Sequence, residues 1–385
     1  MSTAQSSITY PVISPTLPDP AELLEDMRTI FRSGRVTMGR HVAALEDDVR
    51  ARTGVKHAVA LSSGTSGLML LIRALELPTG SEVITPSFTF AATAHALLWN
   101  GLKPVFCDSE PDSFTMDADA AEQLVTERTS AIYPVCIFGV PGDIDAYRAL
   151  ADRHHLALPF DSAQGLGSGY KGRAVANFGD GEVFSLSPTK VVTALEGGLV
   201  TTNDDTIAER VRRMRDYGKT DGGEDMDWCG LSARMTEINA LVARWSLARL
   251  GTWIANRARI MERYRERLTP YPGLRFQRIP PDRASSYNYA MIVLDGSVSR
   301  VTRDDLHIRL GRRGIQTKRY FYPALHRQTL YNRIPDARRS DLAVAERLAS
   351  RSLALPMYSH MPLNEVDVVC EHIAECFSDA GVSPE

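Results

Sequence analysis

The sequence predicts an α/β protein in two parts. The larger is a three-layer unit with a mostly parallel sheet between helices, and the smaller is a C-terminal α+β unit. Three observations carry this. Short apolar runs alternate with amphipathic helical stretches from His57 to Phe160, and strands alternating with helices build a parallel sheet covered on both faces. A long helical stretch, Glu237–Arg257 continuing toward Arg267, stands where a chain commonly passes from one body to the next. With 385 residues, the chain also exceeds what one small core accommodates. The expected division is residues 1–250 and 251–385.

Two amphipathic helices open the chain. Leu23, Leu24, Met27, Ile30 and Phe31 mark the first, which Gly34 ends, and the second runs from about Val42 to Arg52 before Gly54. Strands are expected at His57–Leu61, Glu82–Thr85, Lys103–Cys107, Ala131–Val135 and Leu156–Phe160. Helices are expected at Ser66–Glu76, Ala91–Trp99, Ala118–Glu127 and Ile144–His154. After Gly181 come short strands, then helices at Asp205–Arg215 and Glu237–Arg257. From about Pro270 a new unit begins, with a strand at Tyr289–Leu294, a helix at Asp304–Arg312 and a closing helix at Glu365–Cys376.

Composition narrows the function classes. The chain is 44% hydrophobic and 24% charged, with a net charge of −3 from 44 basic and 47 acidic residues. No sequence-wide basic surface for nucleic acid or acidic membrane is expected. The basic run Arg210–Arg215 lies on a helix and reads as a solvated face. Five cysteines and nine histidines show no metal-ligand spacing, so the thiols are expected reduced and mostly packed. Residues 1–16 are polar and lack the order of a signal peptide, and no apolar run reaches spanning length. The expected location is cytoplasmic.

Five groups at the ends of strands could carry chemistry. Ser62-Ser63-Gly64-Thr65-Ser66-Gly67 follows a strand and opens a helix. Such a turn suits an anion, because backbone N–H groups and the helix N-terminus face it; it also suits plain Ser/Thr capping. Phe88 and Phe90 follow the next strand, where a ring stacks on a flat ligand or joins the core. Asp161 ends the run Leu156–Phe160 and is either a crevice carboxylate or a helix cap. Gln164 lies three residues on. Lys190, in Ser185-Leu186-Ser187-Pro188-Thr189-Lys190, stands between two short strands, where an amine can form an imine with a carbonyl cofactor or simply lie solvated in a turn. Ser185 adds a hydroxyl for phosphate or for local backbone. Gly167-Ser168-Gly169-Tyr170-Lys171-Gly172 matches the dinucleotide-binding letters but lacks the strand before and the helix after.

In this order, phosphate turn, aromatic, aspartate and lysine resemble the fold-type-I pyridoxal phosphate enzymes. More closely, the chain resembles the DegT-type sugar aminotransferases, in the words Ser63–Leu68, Pro86–Phe90, Phe138–Asp143, Asp161–Gln164, Phe184–Lys190 and Glu196–Gly198. Arg234–Glu237 and Tyr322–His326 extend the likeness, which runs from about Gly34 to the closing helix. The resemblance implies pyridoxal 5′-phosphate linked as an imine to Lys190, Asp161 against the pyridine nitrogen and Gln164 near the ring hydroxyl. It implies Phe90 stacked on the ring, with Gly64, Thr65 and Ser185 on the phosphate. It further implies a homodimer with shared active sites.

The implied activity moves an amino group from glutamate or glutamine to a nucleotide-linked keto-deoxysugar, a 4-keto-6-deoxyhexose by the words Pro86–Thr93 and Leu195–Gly198. The alternative acceptor is a 3-ketosugar or a keto-cyclitol, as in antibiotic pathways. Dehydratase members carry His in place of the lysine, and a cofactor-binding sensor would not need Lys190, Asp161 and Gln164 together. Lys318, Arg319, Tyr322, His326 and Arg327 are expected near a diphosphate, with Tyr322 and His326 as substrate contacts. Three departures bear on the substrate pocket. Asp216 stands where relatives often carry Asn, Cys136 where they carry His, and Val140 where they carry Asn.

Overall fold

The computed structural model describes residues 8–334 and 338–384. Met1–Ser7, part of the segment read above for a signal peptide, lie outside them. The large part is built on one continuous order of strands. His57–Leu61 pairs with Gly198–Thr202, which pairs with Gly181–Ser185, which pairs with Pro159–Asp161. Bridges Ala131↔Ala157 and Val135↔Asp161 join these to Thr129–Ile132, Glu82–Pro86 and Lys103–Cys107. Gly198–Thr202 alone runs against the others. The remaining strands therefore end on one edge, and that edge carries the loops after Leu61, Pro86, Asp161 and Ser185. Ser185 and Gly198 face each other in register, so the loop from Leu186 to Gly197 leaves and re-enters the sheet at one point.

The strands are buried along most of their length because both faces are covered. Helices Ala91–Trp99 and Ile144–His154 and strand Lys103–Cys107 fall on the expected residues. Others are shorter than expected, for identifiable reasons. Helix Ala118–Gln123 stops early, and the chain beyond it is held by Glu82, which accepts from Thr126 and Arg128. The strand expected at Ala131–Val135 is Thr129–Ile132 with a single bridge at Val135; Pro134 between them has no N–H for a ladder. Gly169–Tyr170 pairs with Arg173–Ala174 as a small hairpin, so the glycine letters there open no helix.

The long stretch after Glu237 is two helices, Glu237–Ala248 and Leu250–Leu268, broken at Arg249. The first packs on Arg40–Thr53 and the second on Leu363–Asp379, so one apolar stripe changes partner midway. Beyond it, Leu274–Phe276, Ala290–Leu294 and Ser352–Leu355 form an antiparallel sheet. One face of that sheet packs in a core of Ile260 and later residues, and the other, through Met291, Val293 and Ala354, packs with Phe88, Phe106 and Phe114. Cys107, Cys136, Cys370 and Cys376 are buried, Cys229 is exposed, and all are free thiols. Among the described residues no helix is long and apolar enough to cross a membrane.

Candidate active site

The carboxyl edge of the sheet opens into a cavity of about 290 Å³ whose lining includes Gly64, Thr65, Phe90, Asp161, Gln164, Ser185 and Lys190. The phosphate turn resolves its two readings together. Ser63 caps helix Gly64–Ala74, accepting from Ser66 N–H at 3.0 Å, while Ser66 Oγ accepts from Ser63 N–H at 3.2 Å. Of the four leading N–H groups of that helix, only those of Gly64 and Thr65 then lack a partner among the described residues, and both residues line the cavity. Gly64 is required by contact, since a Cβ there would lie 2.8 Å from the Cβ of Ser185.

The two phenylalanines separate. Phe88 is fully buried, edge-on to Phe114, Phe138 and Phe321. Phe90 is 59% exposed at the cavity and opens helix Ala91–Trp99. Asp161 is buried at its strand end and caps no helix. Its Oδ1 accepts from Ala163 N–H at 3.0 Å and its Oδ2 from the Thr93 hydroxyl at 2.6 Å. Burial pushes the Asp161 carboxyl up, while Thr93, Ala163 and Lys190 pull it back toward the ionised form. Gln164 accepts from Phe138 N–H at 2.5 Å, which leaves its Nε2 donors free of partners among the described residues.

Lys190 lies in the loop between strands Gly181–Ser185 and Gly198–Thr202 and makes no side-chain hydrogen bond or ion pair among the described residues. Burial lowers its amine to about 8, with Asp161 opposing that shift and Lys318 reinforcing it. From the C-terminal part come Tyr289, Lys318, Tyr320 and Phe321. The Tyr289 and Tyr320 hydroxyls are 3.2 Å apart, and Lys318 Nζ lies 4.6 Å from the Tyr320 ring centre. None of these four carries a local sequence motif; only the cluster around Lys318 was legible, as a basic loop.

Tyr322 and His326 are placed elsewhere and do not line the cavity. Tyr322 is 55% exposed, with the Arg303 guanidinium 4.8 Å from its ring centre. His326 is buried, its Nδ1 2.6 Å from Ser87 Oγ and its Nε2 2.9 Å from Glu346. Asp216 is neutralised locally by Arg234 and by Lys219 at 3.2 Å. Cys136 lines the cavity, and burial holds its thiol protonated. Val140 is buried in a turn that its N–H closes onto Ile137 O at 2.9 Å.

The model of the DegT/DnrJ/EryC1/StrS aminotransferases matches residues 19–374. The chain belongs to that family. It is an aminotransferase, and pyridoxal 5′-phosphate is the family's cofactor. The relatives span nearly its whole length. It is 33% identical to a UDP-N-acetyl-3-dehydro-α-D-glucosamine 3-aminotransferase of Acidithiobacillus ferrooxidans, over 88% of this chain and 89% of that one. It is 33% identical to the GDP-perosamine synthase of Caulobacter vibrioides, over 90% of this chain and 91% of that one. Its fold matches the crystal structure of DesI in the presence of its TDP-sugar product, with a TM-score of 0.91, 36% identity, and 98% and 95% coverage.

The cavity of this DegT-family chain fits the cofactor. A buried carboxylate, an exposed ring, and an amine and two helix-start N–H groups that have no partner among the described residues face one space. Those are the partners that an aldehyde, a pyridine nitrogen, a phosphate and a flat ring need.

Proposed function

We propose that the enzyme transfers an amino group from glutamate or glutamine to a nucleotide-linked 4-keto-6-deoxyhexose. The observation that carries this reading is the convergence of Lys190, Asp161 and the Gly64–Thr65 turn on one cavity of about 290 Å³. The likeness to DesI, described with a TDP-sugar product, supports a nucleotide-linked sugar as the acceptor.

Each residue has a distinct task. The N–H groups of Gly64 and Thr65, with the Ser185 hydroxyl, would hold the phosphate. Phe90 would cover the ring, Gln164 would offer its Nε2 donors to the ring hydroxyl, and Asp161 would keep the ring nitrogen protonated. Bound there, pyridoxal phosphate supplies an electron sink conjugated to the amino group in transit. Lys190 is the base that takes the donor's α-proton and returns it, and its amine near 8 keeps a usable neutral fraction at neutral pH. Lys318, at the cavity and without an ion pair among the described residues, supplies positive charge for an anionic substrate group. The assembly is a homodimer with shared sites, consistent with Phe90 and Leu195 being 59% and 39% exposed. Light scattering that shows an active monomer would refute that assembly.

The likeness to a 3-aminotransferase favours a second reading, in which the acceptor is a 3-ketosugar. One experiment separates the readings. Purified enzyme with glutamate or glutamine meets a panel of nucleotide-linked 4-keto and 3-keto sugars and a keto-inositol, and products are read by mass. Amination of the 4-ketosugar is expected. Amination of a 3-ketosugar or of the keto-inositol alone would overturn the acceptor assignment.

A further inference from the structure

Helix Ala91–Trp99 is apolar and largely buried, yet it carries one polar side chain in its first turn, Thr93, which is fully buried. A threonine in a helix usually satisfies its hydroxyl on the carbonyl of the preceding turn. Thr93 instead reaches out of the helix. Its Oγ1 lies 2.6 Å from Asp161 Oδ2 and 3.1 Å from Thr89 Oγ1, and Thr89 is itself buried and lines the cavity. Phe90, three residues before Thr93, stands on the same turn at the cavity.

Counting protons fixes the direction of this chain. An ionised carboxylate only accepts, so the single proton of Thr93 is committed to Asp161. The bond between the threonines is then donated by Thr89. We infer that Thr89 and Thr93 form a one-way hydroxyl chain that holds Asp161 ionised and aimed at the cavity, which makes Thr93 a positioning residue for the aminotransferase reaction. The inference rests on the cofactor reading above, since Asp161 matters through the ring nitrogen it faces.

The surroundings of Asp161 leave this task to the hydroxyl. Of the titratable groups facing it, burial holds the Tyr133 phenol and the Cys136 thiol neutral. Among the described residues Lys190 is the cation that acts on Asp161, and its amine is committed to the chemistry. Ala163 N–H serves only the other carboxylate oxygen. Among the described residues, Thr93 is the donor that Oδ2 has.

The test uses the cofactor-loaded enzyme and three variants, T93V, T93S and T89V. Cofactor affinity, the visible absorbance of the holoenzyme and the acid limb of kcat are each followed against pH. Losing a hydrogen bond to a charged group raises the carboxyl pKa, so the acid limb and the absorbance transition in T93V should move up by about one pH unit. The cofactor should bind about tenfold more weakly. T93S should restore all three readouts, and T89V should move them the same way by less. An unmoved limb and spectrum in T93V, or T93S losing as much as T93V, would overturn the inference. Should T93V fail to fold, T89V decides, and a wild-type profile there rejects the chain. Affinity and absorbance are read without any acceptor, so failure to aminate a ketosugar leaves this result standing.

Discussion

Gly198 leaves no room for a side chain beside Gly64: a Cβ built on Gly198 would lie 2.4 Å from Ser63 O and 2.6 Å from Gly64 N. Gly64 in turn presses on Ser185, the register partner of Gly198. Strand start, helix start and strand end thus share one crowded point beneath the expected phosphate position. The Glu196-Gly197-Gly198 word is there for space.

G198A should therefore displace the Gly64–Thr65 turn while leaving the sheet paired. Overpacking of this kind costs about 1–3 kcal/mol, equivalent to a cofactor affinity weakened about tenfold or more. Titration of cofactor-free protein measures it, and wild-type affinity would show that the turn yields freely.

Lys190 sets a pH expectation. Its amine is lowered to about 8, so the reactive neutral form gains tenfold for each pH unit up to that point and then levels off. The rate of cofactor capture by cofactor-free enzyme should follow this curve, and borohydride should fix the cofactor to Lys190. A rate still climbing at pH 10 would mean an ordinary, solvated lysine.

D161N should bind cofactor yet lose turnover by at least about 10²-fold, since a neutral amide cannot hold the ring nitrogen protonated. Near-normal turnover would reduce Asp161 to the turn cap that its bond from Ala163 already makes it.

H326A should act on stability. The imidazole joins Ser87 to Glu346 in a buried setting, and leaving such partners unpaired costs about 1–3 kcal/mol. Thermal unfolding should show that loss while donor and acceptor KM stay together. A selective rise in acceptor KM would place His326 in substrate binding after all.

Much of the site was legible because each of its parts punctuates a strand. Gly64, Phe90, Asp161 and Ser185 follow or end β runs, and turn chemistry is local in sequence. Thr93 closes the word Pro86–Thr93, but its bond to Asp161 was not legible, since nothing in the sequence sets the two opposite each other. Tyr322 and His326 lie outside the cavity for a related reason: sequence neighbours of Tyr320 and Phe321 face different surroundings once the chain turns. The break at Arg249 was hidden because hydrophobic periodicity records a stripe and not the body it packs against.

The register pair Ser185–Gly198 has a consequence for how the site assembles. The loop carrying Lys190 is closed at its neck by neighbours in sequence, and short loops close at small entropic expense. The reactive amine is thus mounted early and locally. Asp161, the phosphate turn and the tyrosines of the C-terminal part must arrive through distant contacts. A nick within that loop would leave both cut ends anchored in the sheet, so severed halves of the enzyme should find each other there.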